Sequence, residues 1–322
     1  MPVVLDAMGG DHAPYEITKG AVEAAEEFGI DVILVGDEAK IAGCNIDLSK
    51  ITVKHASETI EMNEHPAKAI RRKPDSSIAV AAKIAKELDD GALVSAGHTG
   101  AVMAAGVFIL GRINGMERPA IACVMPTISN DVIVLDVGAN VDCKPAHLLQ
   151  FGIMGNAYAK HVLNATNPRI GLLNIGEEAK KGNEQTLATY KLLEESTLNF
   201  CGNVEPSGVF SGMADVVVTD GFAGNILLKS SEAISNVLQG LIKKEISGFN
   251  LKPEQLQSFG NTMARFSTKN PQYAGAPLLG VDGTCIIAHG SSKSTTIKHC
   301  IALADRLQKS NAVQSMKTES NN

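Results

Sequence analysis

The sequence predicts an α/β fold, with a mostly parallel sheet covered by helices on both faces. Three observations predict it. Short β-branched runs alternate with Ala-rich helical patterns, the runs end at Gly or Asp, and each run is short enough to be fully buried. Such alternation marks βαβ units, and short buried strands suit a parallel sheet covered on both faces. The chain has 322 residues, 44% of them hydrophobic, which is enough for one large core. A single domain is expected over residues 1–309.

In chain order, strands are expected at Val3 to Asp6, Asp31 to Val35, Ile51 to His55, Ala92 to Ser95, Ala120 to Val124, Val132 to Asp136, Arg169 to Asn174, Val216 to Asp220 and Thr284 to Ala288. Helices are expected at Glu16 to Phe28, Ser76 to Leu88, Thr99 to Leu110, Ala146 to Leu163, Asn183 to Glu194 and Ser292 to Leu307. From 222 to 268 the alternation stops. Two long amphipathic patterns carry Leu227, Ile234, Leu238 and Leu241, then Leu256, Phe259, Met263 and Phe266, and they predict a protruding helical pair that serves as a dimer, membrane or partner arm. The polar end, 310–322, is expected to be disordered.

Composition removes several classes of function. A net charge of -6, 4% aromatic residues and no Trp leave neither a basic footprint nor a stacking platform for nucleic acid. The six cysteines are scattered and form no C-x-x-C, as in a reducing cytosol. With no signal-like start and no apolar span of membrane length, a cytoplasmic protein is expected. No G-x-G-x-x-G follows a strand, no Walker loop or G-x-S-x-G elbow occurs, and the histidines have no metal spacing. Neither a cofactor nor a metal is expected.

In a parallel sheet, ligands bind beyond the carboxyl ends of the strands. Five loops there are unusual: Asp6 with Gly9 and Gly10, Ser95 to Gly100, Asp136 to Asn140, Asp220 to Asn225, and His289 to Ser292. Gly with Ser or Thr at a helix start exposes backbone N–H groups and the positive end of the helix dipole, a setting that binds phosphate. Each loop alone reads better as an ordinary helix cap. Five at one sheet edge point to a metal-free site for a small anion and an acyl group. Lys180-Lys181 follows a further strand, and Lys181 is expected to reach the same edge and neutralise phosphate.

At Asp6-Ala7-Met8-Gly9-Gly10-Asp11-His12-Ala13-Pro14 the chain resembles the phosphate acyltransferase family of bacterial phospholipid synthesis. The resemblance continues through Ser95-Ala96-Gly97, Leu135 to Pro145, Leu172 to Glu178, Lys181 to Glu184, Gly202 to Glu205, Thr219 to Phe222 and Gly275 to Gly280. It departs at His98, where the family usually has Asn. The resemblance implies a fold similar to isocitrate and isopropylmalate dehydrogenases, and a homodimer. It also implies transfer of a long-chain acyl group from acyl carrier protein to inorganic phosphate, with the acyl phosphate feeding a membrane glycerol-3-phosphate acyltransferase. Some members associate peripherally with membranes, and Phe249 to Leu251 is the expected contact here.

Lys181 and Asn225 match family positions associated with catalysis. Lys181 is assigned to phosphate, and Asn225 to the acyl carbonyl or its oxyanion. Gly9, Gly10, Ser95, Gly97, Thr99, Gly138, Asn140, Gly221, Gly224, His289 and Ser291 are expected to line the substrate site, with His289 as a candidate acid for the leaving thiolate and Asp6 and Asp11 orienting donors or Lys181. Arg71-Arg72-Lys73, or Lys243-Lys244 with Arg265, are candidate docking spots for the acidic carrier. Three alternatives stay open: a phosphate acetyl- or butyryltransferase acting on acyl coenzyme A, a nicotinamide dehydrogenase of the same fold, and a dimeric scaffold.

Overall fold

The computed structural model describes residues 1–88, 91–249, 252–265, 270 and 273–320. Eleven strands form one sheet: β1 (Val3–Asp6), β2 (Val32–Gly36), β3 (Ile51–His55), β4 (Ala92–Ser95), β5 (Ala120–Pro126), β6 (Asp131–Leu135), β7 (Ile170–Leu173), β8 (Phe200–Val204), β9 (Val216–Val218), β10 (Ala276–Leu279) and β11 (Thr284–Ile287). The helices among the described residues are α1 (Tyr15–Phe28), α2 (Glu38–Ala42), α3 (Pro66–Arg72), α4 (Ser77–Glu87), α5 (Thr99–Ala105), α6 (Pro145–Val162), α7 (Glu184–Glu194), α8 (Pro206–Ser211), α9 (Gly221–Ile246), α10 (Pro253–Arg265), α11 (Ser294–Lys309) and α12 (Ala312–Glu319). None is long and apolar enough to cross a membrane.

The strand order is β3-β2-β1-β4-β11-β10-β5-β6-β9-β7-β8. The first five are mutually parallel, as are the last four, and β10 and β5 are antiparallel to both of their neighbours. The mostly parallel α/β fold is therefore as expected, but its two halves run in opposite senses. The reversal is made by the β5–β6 hairpin, where Pro126 pairs with Asp131 and the Thr127 hydroxyl accepts N–H bonds from Ser129 and Asn130 at 3.2 and 3.1 Å. So short a connection can join only antiparallel strands.

Alternate strand residues feed two cores. Val3 and Leu5 of β1 join the core under α1, α6, α11 and α12, while Val4 joins the one under α4 and α5. Both faces of the sheet are thus covered, which is why the central strands read as unbroken apolar runs. The sequence reading missed β8 and β10. Gly202 and Asn203 interrupt the apolar pattern of one, and Pro277 reads as a strand breaker in the other.

The end of the chain corrects an expectation. Residues 312–319 form α12, which lies on α6 with Ala312 and Met316 buried; Asn156 donates to Glu319 at 3.3 Å and Lys317 pairs with Asp282 at 2.6 Å. The segment looked polar because an eight-residue helix needs only two apolar anchors four positions apart to bury one face. Met316→Ala is expected to cost about 2–5 kcal/mol, the usual loss for emptying a core methionine site. An unchanged urea midpoint would show that α12 adds nothing to stability.

The helical pair forms as expected within the described residues. Leu227 and Leu228 of α9 pack against the body, whereas Ile234, Val237, Leu238 and Leu241 farther along are exposed. Asn250, Leu251 and residues 266–268 of the expected arm lie outside the described residues, as does the side chain of Arg265.

Candidate functional site

Reversal of the second half divides the predicted site residues. The carboxyl ends of β1, β4 and β11 lie at one sheet edge, with Gly9, Gly10, Ser95, Gly97, Thr99, His289 and Ser291. Those of β6, β9 and β7 lie at the opposite edge, with Gly138, Asn140, Lys181, Gly221, Gly224 and Asn225. One chain does not bring all five loops together, contrary to expectation. No hydrogen bond among these residues joins the groups.

At the first edge, most of the predicted ligands are committed to holding the loops. Buried Ser95 donates to Asp6 at 2.7 Å, and its hydroxyl accepts from the Gly97 N–H at 3.0 Å. A Cβ on Gly9 would stand 2.6 Å from the Gly97 nitrogen, so that glycine permits backbone-to-backbone packing rather than approach of an anion. His98 caps α5 by accepting from the Gly100 N–H at 3.1 Å through Nδ1, an acceptor role that an Asn in that place also fills. Exposed His289 is paired with Ser291, Nδ1 to Oγ at 2.9 Å. Lying at the edge away from Lys181, it is not the acid for a reaction there within the same chain. Asp6 orients this edge, not Lys181.

Burial pushes the Asp6 carboxyl above its ordinary range, against bonds from Ser77, Ser95 and the Met8 and Gly9 amides. With a folded pKa above the unfolded one, its contribution to stability is complete below the ordinary carboxyl range and is lost as pH rises through the folded value. Asp6→Asn keeps an acceptor for Met8 and a donor for the Ser95 oxygen. It is expected to flatten the dependence of the thermal midpoint on pH between about 4 and 8 and to raise the midpoint at the upper end. A variant whose midpoint follows the parent at every pH would refute this.

At the second edge the same device recurs on a larger scale. Asp136 accepts from the amides of Ile121, Gly138, Ala139 and Asn140 at 2.6 to 3.2 Å, and from the Asn140 side chain at 2.9 Å. Burial nevertheless raises its pKa. Asn140 also donates to the Pro119 carbonyl at 2.7 Å, so it supports the loop and has little left to offer a ligand. The Gly221 N–H donates to the Asn140 carbonyl at 2.7 Å, and Asp220 caps α9 through Ala223 N–H at 2.8 Å. These contacts lock the start of α9 against the 136–140 loop. They leave Asn225 exposed, with its amide beside Gly138 and no side-chain hydrogen-bond partner among the described residues.

Between this helix start and the loop after β7 opens a cleft of about 700 Å³. Leu148, Leu173, Ile175, Phe222, Ile226 and Leu227 form its apolar walls. Gly182, Asn183 and Thr186 bring in the N-terminus of α7, and Asp220, Phe222 and Ala223 that of α9. Two helix N-termini therefore open on one apolar cleft, that of α7 capped by the neutral Asn183 side chain and that of α9 by the acidic side chain of Asp220. Lys181 and Asn225 are each next in sequence to a lining residue, Gly182 and Ile226, and Lys181 is exposed and has no ion-pair partner among the described residues. A lysine and the α7 helix end suit an anion, and the walls suit a hydrocarbon chain. Sequence reasoning missed those walls. Their signal was Ile175 and Phe222, large apolar residues placed inside polar glycine loops and exposed here to 80% and 60%.

Comparison with solved structures defines the fold. The chain shares its fold with a phosphotransacetylase from Streptococcus pyogenes, with a TM-score of 0.62 and 16% identity over 96% of this chain and 94% of that one. A branched-chain phosphotransacylase from Enterococcus faecalis gives 0.61 and 16% over 96% and 99%. The sequence then specifies the family: residues 1–315 match the model described as Fatty acid synthesis protein, and the chain belongs to that family of transferases. The protein named Phosphate acyltransferase in Pelotomaculum thermopropionicum is 49% identical over 314 residues, 94% of this chain and 90% of its own length. Its namesake in Desulforamulus reducens is 46% identical over 325 residues, covering 98% and 96%.

Proposed function

We propose that this enzyme transfers a long-chain acyl group from acyl carrier protein to inorganic phosphate, forming acyl phosphate. The observation that carries the proposal is the apolar cleft opening beneath two helix N-termini, with Gly182, the residue after Lys181, in its lining. An acetyl group would leave most of about 700 Å³ empty, a volume in the range of pockets that enclose drug-sized ligands. The name of the curated relatives, phosphate acyltransferase, supports acyl transfer to phosphate.

A phosphate oxygen attacks the thioester carbonyl carbon; the C–O bond forms, the C–S bond breaks, and the thiolate leaves to take up a proton. Phosphate dianion is already nucleophilic near neutral pH, so the protein's work is positioning and charge control. Lys181 and the N-terminus of α7 hold phosphate, while the apolar walls hold the chain. Proximity can supply part of about 7–11 kcal/mol, and Asn225 donating to the developing oxyanion about 3–4 kcal/mol.

The carrier protein is acidic and needs a basic landing. Lys73 is bonded to Glu64 at 2.7 Å and Arg71 lies over Phe108 at 4.7 Å, so that run is partly committed. Lys243 and Lys244 on α9 remain exposed and are the favoured spot. The exposed apolar face of α9 supports a homodimer, and Phe249 at its end supports peripheral contact of a cytoplasmic enzyme with the membrane that holds a glycerol-3-phosphate acyltransferase. Liposome binding that survives Phe249→Asp with Leu251→Asp would remove the membrane contact.

The second reading, transfer from acyl coenzyme A, follows from the phosphotransacylase fold. Purified protein incubated with phosphate and either palmitoyl carrier protein or palmitoyl coenzyme A separates the two. Acyl phosphate formed at a higher kcat/KM from the carrier is expected. Preference for coenzyme A selects the second reading, and no acyl phosphate from either donor refutes both.

A further inference from the structure

We infer that Asn174 and Asn203 are positioning residues that hold Lys181 at the cleft, an inference that rests on the reading of Lys181 just given. Asn174 directly follows β7, and Asn203 lies in the adjacent β8. Both are buried, at 7% and 3% exposure. The Asn174 amide nitrogen donates to the Lys181 carbonyl and to the Asn203 Oδ1, each at 3.0 Å, while its oxygen accepts from the Ile175 N–H at 2.9 Å. Asn203 in turn donates to the Glu178 carbonyl at 2.9 Å, and the Lys181 N–H donates to that same carbonyl at 3.0 Å. The loop after β7 is thereby gripped from beneath at the two carbonyls that bracket its last turn.

Sheet packing does not call for this pair. Two β-branched apolar residues would fill adjoining strands at a sheet edge without the desolvation that buried amides incur. The amide groups are instead aimed at the loop backbone. Gly182 closes the arrangement: its φ is +104°, and a Cβ there would stand 2.6 Å from the Asn174 oxygen, so position 182 has no side chain to displace the clamp. Lys181 is exposed and its ammonium has no ion-pair partner among the described residues, while its stem lies over Gly176, where a Cβ would stand 2.9 Å from the Lys181 Cγ; the fold of this loop is therefore what limits where the charge can be. Freeing that loop spreads the ammonium over several positions, and misplacement by about 1 Å can cost on the order of 100-fold in rate. The same reasoning gives a role to two stretches that carried the family resemblance without any assigned chemistry, Leu172 to Glu178 and Gly202 to Glu205.

The test measures acyl phosphate formation by full-length Asn174→Ala, Asn203→Ser, Lys181→Ala, and the double variants of each asparagine change with Lys181→Ala. Asn174→Ala is expected to lower kcat about 10- to 100-fold with the thioester KM within about twofold, and Asn203→Ser to act in the same direction but less. In the Lys181→Ala background either change should cost less than about twofold more, because the group it positions is gone. A purely structural role would lower the thermal midpoint and leave the kcat of the folded enzyme intact. Equal losses in both backgrounds, or near-normal kcat in both asparagine variants while Lys181→Ala is impaired, would overturn the clamp alone. Normal turnover of Lys181→Ala would remove the reading of Lys181 and the clamp with it. Should Asn174→Ala fail to fold, Asn203→Ser carries the same comparison.

Discussion

Lys181→Ala is expected to lower kcat/KM for phosphate by about three orders of magnitude, and Asn225→Ala to lower kcat by about 10²–10³ with little change in the thioester KM. The difference between the two follows from when each group acts. Phosphate carries its charge before, during and after the attack, so losing Lys181 weakens binding as well as turnover. The oxyanion exists only in the transition state, so losing Asn225 falls on kcat. Both side chains are exposed and have no hydrogen-bond or ion-pair partner among the described residues. Neither variant should therefore shift the urea midpoint by more than about 0.5 kcal/mol, which separates loss of chemistry from loss of fold. Near-normal turnover in both would remove the assignment.

Gly224→Ala is expected to be the most damaging single-methyl change in this region. A Cβ there would overlap the carbonyl oxygen of Asp136 and stand 2.8 Å from the Thr219 Cγ2. The obstacle is backbone, so relief requires moving α9 away from the 136–140 loop, and Asn225 moves with it. Overpacking of this kind costs about 1–3 kcal/mol or more, and the geometry around Asn225 should fail as well. Gly240→Ala is the control on the exposed part of the same helix, where a Cβ would meet nothing within 4 Å. It should stabilise by about 0.5–1 kcal/mol through helix propensity alone. A Gly224→Ala enzyme with parental stability and turnover would show that α9 is not locked as described.

Much of the site was legible. Lys181 lies in the loop after β7 and Asn225 near the start of α9 after β9, and a strand, a polar loop and a helix start are all local patterns. The predicted helical pair and the strands at Val3, Ala92 and Val216 likewise rest on neighbours along the chain. The hairpin was within reach but was not used. Between the expected strands ending at Val124 and beginning at Val132 there is too little chain for a parallel crossover, and that alone implies a reversal. Had it been read, the five loops would not have been assigned to a single edge.

Other features had no local signal. Ser95 and Asn140 look like ligand donors in the sequence because nothing nearby in the chain shows that Asp6, Asp136 and the Pro119 carbonyl occupy them. The walls of the cleft come from β7, α6 and α9, which meet only after the sheet has formed.

By itself the sequence determined the kind of molecule: apolar strands and Ala-rich helices that must cover a sheet on both faces, an amphipathic helical pair, and polar residues confined to loops. Only the tertiary structure decided which loops meet. That depends on pairings such as Leu278 with Ile121, between strands far apart in the chain, and on the insertion of β10 beside β5. The glycine loop at Asp6 and the lysine loop at Lys181 consequently lie at opposite edges, because strand direction is a property of pairings between distant segments and no periodicity within a segment encodes it.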